Sequence, residues 1–163
     1  MPSDTLTTLA TLVGAKLKAK GLMLATAESC TGGWVAQAVT AIAGSSEWFE
    51  RGFVTYSNAA KLDMLGVNSG TLAAQGAVSE ETAHEMAAGA LARSHAQVAV
   101  AITGIAGPTG GTPDKRVGMV CFAWAMKEGA VITETRHFKG NRESVRRQAV
   151  TAALQGVLQL LEG

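Results

Sequence analysis

Leu6, Leu9, Val13 and Leu17 recur near helical spacing before Gly21, so the chain is expected to open with an amphipathic helix over 5–20. Residues 22–27, Leu-Met-Leu-Ala-Thr-Ala, form a short apolar run with the length of a buried strand. This run passes into Glu28-Ser-Cys-Thr-Gly-Gly and then a small-residue helix over about 34–42. Gly44-Ser-Ser marks a turn, 49–56 alternates imperfectly as a second strand, and 58–65 has the pattern of a short helix that Asn58 would cap. Residues 66–76 are mixed, with loop signals at Asn68-Ser-Gly.

Ser79-Glu80-Glu81 supplies a cap and two first-turn carboxylates for a helix reaching about His95, although Thr82 stands where a full capping box wants Glu or Gln. Residues 98–102, Val-Ala-Val-Ala-Ile, are apolar throughout, which predicts a strand buried on both faces. A long loop follows over 103–113, then two strands over 117–126 and 131–138 whose Lys127-Glu-Gly connection signals a hairpin. The last helix is expected over 142–161, with Val145, Ala149, Ala152, Leu154 and Leu158 buried. Strands separated by helices predict an α/β fold, a three-layer α/β/α sandwich around a mixed, mostly parallel sheet. No repeat, linker or low-complexity segment divides the chain, so residues 1–163 are expected to form a single domain.

Composition narrows the classes of function. Hydrophobic residues make up 47% of the 163 residues and charged residues 17%, which argues against disorder. A formal charge of +1 supplies no global field for nucleic acid or an anionic membrane. The first twenty residues are too polar for a secretory signal, and no apolar run approaches the roughly 20 residues of a membrane span. Cys30 and Cys121 form no CxxC, and His84, His95 and His137 are scattered, so neither a metal nor another cofactor is expected. The expected setting is the cytoplasm, without nucleic-acid or membrane partners.

Three polar or glycine-rich segments fall at strand ends, where ligands gather in open α/β sheets: Glu28-Ser-Cys-Thr-Gly-Gly, Tyr56-Ser-Asn-Ala-Ala-Lys61 and Thr103-Gly-Ile-Ala-Gly-Pro. Ser29 fits either a helix N-cap or a nucleophile that needs a base. No histidine lies in these loops. Lys61 does, and it is either an exposed helix lysine or, if desolvated beside Tyr56, a base for the serine proton. Cys30 is a rival nucleophile or a small buried residue. Thr31, Gly32 and Gly33 start a helix, where backbone N–H groups suit an oxyanion or a phosphate, or merely form a tight turn. Thr103 and Gly104 open a loop able to wrap a ligand. Arg142 and Arg146 lie one helical turn apart, as a phosphate clamp or as solvated surface, while Arg147 points elsewhere.

These segments, with Gly52-Phe-Val-Thr-Tyr-Ser-Asn-Ala-Ala-Lys61, Gly76-Ala-Val-Ser and Gly110-Gly, resemble the CinA C-terminal domain family over nearly the whole chain. The resemblance implies the stand-alone form, without the additional N-terminal domain of longer members. It further implies hydrolysis of the carboxamide of nicotinamide mononucleotide (NMN) to nicotinic acid mononucleotide and ammonia, in pyridine nucleotide salvage and without metal. Carried onto this sequence, it makes Ser29 the nucleophile, Lys61 its base and Tyr56 a proton relay or a support for Lys61. Thr103 and its glycine loop match the substrate side, and Arg142 and Arg146 fall in the matching Gly-x-Arg-x-x-x-Arg stretch. A dimer or higher homo-oligomer is implied as well.

Overall fold

The computed structural model describes residues 2–162, with side chains from Thr5 onward. Its elements run α1 (Pro2–Lys20), β1 (Leu24–Glu28), α2 (Trp34–Thr40), β2 (Phe49–Val54), α3 (Asn58–Leu65), α4 (Ser69–Gln75), α5 (Glu80–Ala92), β3 (Val98–Gly104), β4 (Met119–Met126), β5 (Val131–His137) and α6 (Arg142–Glu162). The five strands make one sheet in the order β2-β1-β3-β4-β5. β2, β1 and β3 pair in parallel, and only β4 runs against the rest, through its antiparallel pairing with β3 and β5. The expected three-layer α/β/α sandwich with a mixed, mostly parallel sheet is the observed fold. Among the described residues no helix is long and apolar enough to cross a membrane.

The alternation of the central strands decides which helices lie where. Leu24, Val98, Val100, Ile102, Val120, Phe122 and Trp124 share one face and pack with Leu6, Val13 and Leu17 of α1, Val35 and Val39 of α2, and Val145, Leu154 and Val157 of α6. The opposite face is nearly all small: Ala25, Ala27, Ala99, Ala101, Cys121, Ala123 and Ala125. Against it lies α5, itself turned inward on Ala83, Met86, Ala87 and Ala90. Small residues on both partners let helix and sheet approach closely, and α3 and α4 then pack on α5.

Several local expectations are corrected. The cap of α3 is Ser57, not Asn58, for its Oγ accepts the Ala60 N–H at 3.0 Å. The Asn68-Ser-Gly stretch is a helix start rather than a loop, because Asn68 Oδ1 accepts the Gly70 N–H at 2.7 Å and α4 follows. α5 stops at Ala92, short of His95, whose N–H is drawn to Glu50 Oε1 at 2.8 Å. Gly44 leads into a 3-10 turn over Ser45–Glu47. β3 continues two residues into the expected loop, carried by the pairing of Thr103 with Cys121 and Gly104 with Val120.

Gly89 fixes the seat of α3. A Cβ there would lie 2.0 Å from the carbonyl oxygen of Leu65, the last residue of α3, and a backbone obstacle cannot rotate away. Alanine gains about 1 kcal/mol over glycine in a helix interior, whereas overpacking typically costs about 1–3 kcal/mol and a backbone clash sits high in that range. Gly89→Ala is therefore expected to destabilise the protein by about 1–2 kcal/mol net, read as a lower urea midpoint; an unchanged midpoint would show that α3 has slack.

Candidate active site

β1, β2 and β3 end side by side, and the loops leaving them border one cavity of about 370 Å³. It is lined by Ser29, Cys30, Tyr56, Lys61, Thr103, Gly104 and Arg142, all singled out in the sequence, and by Asn58, Ala77, Val78, Ile105, Ala106, Gly107, Thr109 and Gly110. Thr31, Gly32, Gly33 and Arg146 are not in that lining.

Ser29 is the first residue past β1, tied to β3 by its N–H on the Ile102 carbonyl at 2.9 Å. Lys61 stands in the first turns of α3, only 1% exposed, with Nζ 3.0 Å from Ser29 Oγ, 3.0 Å from the Thr55 carbonyl oxygen and 3.3 Å from that of Tyr56. Among the described residues no carboxylate pairs with it. Burial accordingly holds the Lys61 amine below the usual lysine range. Two carbonyls and one hydroxyl satisfy this amine in either state. Charged, it donates to all three; neutral, it donates to the carbonyls and its lone pair faces the serine hydroxyl. That is the arrangement a serine nucleophile and a lysine base need.

Cys30, beside Ser29, is a buried thiol pushed up to about 12 by desolvation, so it is protonated and weakly nucleophilic at neutral pH. Gly104 leaves it room: a Cβ there would meet Cys30 Sγ at 3.1 Å and the Met119 carbonyl oxygen at 2.9 Å. Thr103 donates its hydroxyl to the Ala77 carbonyl at 2.7 Å, which pins the Gly76-Ala-Val-Ser stretch to β3 as a pocket wall. The hydroxyl of Tyr56 is engaged by Arg142 rather than by Lys61. Tyr56 is 62% exposed at the pocket mouth, where this hydroxyl accepts from Arg142 Nη2 at 3.2 Å, and its main-chain carbonyl meets the lysine. Arg142 also donates to the Gly107 carbonyl at 2.7 Å.

The turn after Ser29 is held by two residues of opposite charge. Glu28, fully buried, takes the Thr31 hydroxyl at 2.6 Å and the N–H groups of Val35 and Ala36 at 2.9 and 3.0 Å. The N–H groups of Val35 and Ala36 at the start of α2 thus bind the protein's own carboxylate rather than a ligand anion. Arg146 donates to the carbonyls of Cys30 and Thr31 at 3.0 and 3.1 Å, with its guanidinium 5.4 Å from the centre of the Trp34 ring. Arg142 thus lines the cavity, while Arg146 is engaged with the turn and is not in that lining. Arg147 lies over Trp34 and pairs with Glu143. Sequence reasoning passed over the role of Glu28; the one signal was that α2 begins after Gly33, which has no side chain to cap it. Among the described residues no group of three or more His, Cys, Asp or Glu side chains is placed to hold a metal ion.

The CinA C-terminal domain family matches residues 6–161. The nicotinamide-nucleotide amidohydrolase PncC of Escherichia coli (strain K12) is 56% identical over 159 residues, which is 98% of this chain and 96% of that protein. Its counterpart in Pseudomonas putida is 52% identical over 158 residues, 96% of this chain and 98% of that protein. The crystal structure of the competence/damage inducible protein CihA from Agrobacterium tumefaciens superposes with a TM-score of 0.93 at 48% identity, covering 98% of this chain and 96% of that one.

The depressed Lys61 amine has a consequence for stability. Between its lowered folded value and 10.5 the unfolded chain binds a proton that the folded chain does not, so this residue makes folding more favourable as pH rises through that window. Lys61→Met lacks this linkage. Urea titrations at stepped pH should show wild type gaining stability relative to Lys61→Met up to pH 10.5; parallel curves would mean that the buried amine keeps an ordinary pKa.

Proposed function

This chain belongs to the CinA C-terminal domain family, and on that premise we propose that it is an amidohydrolase that deamidates NMN by a serine–lysine mechanism, in pyridine nucleotide salvage. The observation that carries the mechanism is the 3.0 Å approach of Lys61 Nζ to Ser29 Oγ inside the cavity. The substrate follows from the nicotinamide-nucleotide amidohydrolases that are 52% and 56% identical over almost their whole length.

Neutral Lys61 removes the Ser29 proton as Oγ attacks the carboxamide carbon. The developing oxyanion is met by backbone N–H groups of the turn from Cys30 to Gly33, that of Gly32 excepted because the Ser29 carbonyl already engages it. In known sites such a donor is worth about 3 kcal/mol. Collapse breaks the C–N bond, Lys61 returns its proton to the departing ammonia, and an ester to Ser29 remains. Water attacks that ester with Lys61 again as base, releasing nicotinic acid mononucleotide and restoring the hydroxyl. Arg142, at the mouth, suits the 5′-phosphate, and the Tyr56 ring beside it borders the path of the substrate. Tyr56 supports Lys61 through its main-chain carbonyl rather than relaying a proton through its phenol.

Ser29→Ala and Lys61→Ala should each lower ammonia release from NMN by about four orders of magnitude while leaving the far-ultraviolet circular dichroism unchanged. Near-normal turnover by folded Ser29→Ala would end the nucleophile assignment, and release of phosphate in place of ammonia would point to another hydrolase. Because only the neutral amine is a base, kcat/KM should rise with pH through the lowered Lys61 value and level off below 10.5. A pH profile still climbing at 10.5 would remove Lys61 from that role.

A further inference from the structure

We propose that Arg146 is a positioning residue for the hydrolysis, holding from outside the cavity the turn that presents Ser29 to Lys61. The inference rests on the serine–lysine reading and adds to it a residue that substrate does not touch. Through Glu28 and Ser29 the chain is held by its neighbours, with the Thr55 N–H on the Glu28 carbonyl at 2.8 Å and the Ser29 N–H on that of Ile102 at 2.9 Å. From Cys30 the sheet no longer holds it, and Gly32 and Gly33 follow with φ of 60° and 101°. A turn of this kind is loose unless something outside the sheet fixes it.

Glu28 ties the Thr31 side chain and the start of α2, and Arg146 holds the main chain of the turn itself by bridging two successive carbonyls, those of Cys30 and Thr31, with one planar guanidinium. In a trans peptide the N–H points opposite to its carbonyl. Drawing these two carbonyls outward therefore turns the N–H groups of Thr31 and Gly32 inward, and the Gly32 N–H does donate to the Ser29 carbonyl at 3.1 Å. The pull from α6 thus ends on the main chain of the nucleophile. Trp34 lies against the guanidinium and steadies it, and Arg146 is absent from the cavity lining. Arg142, one helical turn earlier, reaches that lining instead.

The test is steady-state kinetics with NMN on Arg146→Ala, Arg146→Lys and Ser29→Ala. Misplacement of a reacting group by about 1 Å lowers rates by about a hundredfold, so kcat of Arg146→Ala should fall by about ten- to a hundredfold with KM changed less than about twofold. Lysine cannot bridge both carbonyls and should restore only part of kcat. Millimolar guanidinium should raise kcat of Arg146→Ala and leave Arg146→Lys unmoved. Wild-type kcat in folded Arg146→Ala overturns the inference, as does a raised KM at unchanged kcat, which would place Arg146 on the substrate. Should Arg146→Ala fail to fold, wild-type kcat in Arg146→Lys overturns it, and a reduced kcat at unchanged KM supports it. Turnover by Ser29→Ala would instead overturn the serine–lysine reading itself.

Discussion

A primary amine removed from water with no carboxylate beside it is the constraint on which this structure turns. Desolvation disfavours the charged form of such an amine, and the protein offsets this with two carbonyls and a hydroxyl rather than with an anion. A carboxylate partner would stabilise the ammonium and silence it as a base. Carbonyls accept from both forms, so their partnership does not lock the lysine into the charged one.

That placement depends on the unequal faces of the sheet. The alanine face lets α5 sit close, and Gly89 lets the end of α3 rest on α5, which delivers Lys61 to the ends of β1 and β2. The bulky face carries α2 and α6, which grip the turn after Ser29. Ser29 and Lys61 thus come from opposite sides of one sheet and meet at its rim. Displacement of either helix layer changes the distance between them.

Element type was legible wherever periodicity is strong: α1, α6, the apolar β3 and the hairpin of β4 and β5 lie close to the spans their patterns predict. Caps and ends were less so, since Ser57 and Asn58 are equally good caps in isolation and only the hydrogen bond to Ala60 separates them. The division of the sheet into an alanine face and a bulky face was present in Val-Ala-Val-Ala-Ile, but an uninterrupted apolar run hides its own alternation. In the site, spacing alone left Ser29 and Lys61 open to structural roles, and the family resemblance gave them chemistry. The difference between Arg142 and Arg146 was beyond reach, because two residues one helical turn apart look equivalent until the tertiary partners of each, 115 residues away in the case of Thr31, are known. The burial of Glu28 was hidden for the same reason.

The protonated state of Cys30 bears on how this cavity can be labelled. A thiol and a hydroxyl stand on adjacent residues, and ordinary reactivity would favour the sulfur. Here burial reverses the order: the thiol lacks the ionisation that alkylation requires, while the oxygen has a base in contact. On the proposed serine–lysine chemistry, serine-directed electrophiles such as fluorophosphonates suit this cavity, and haloacetamides do not.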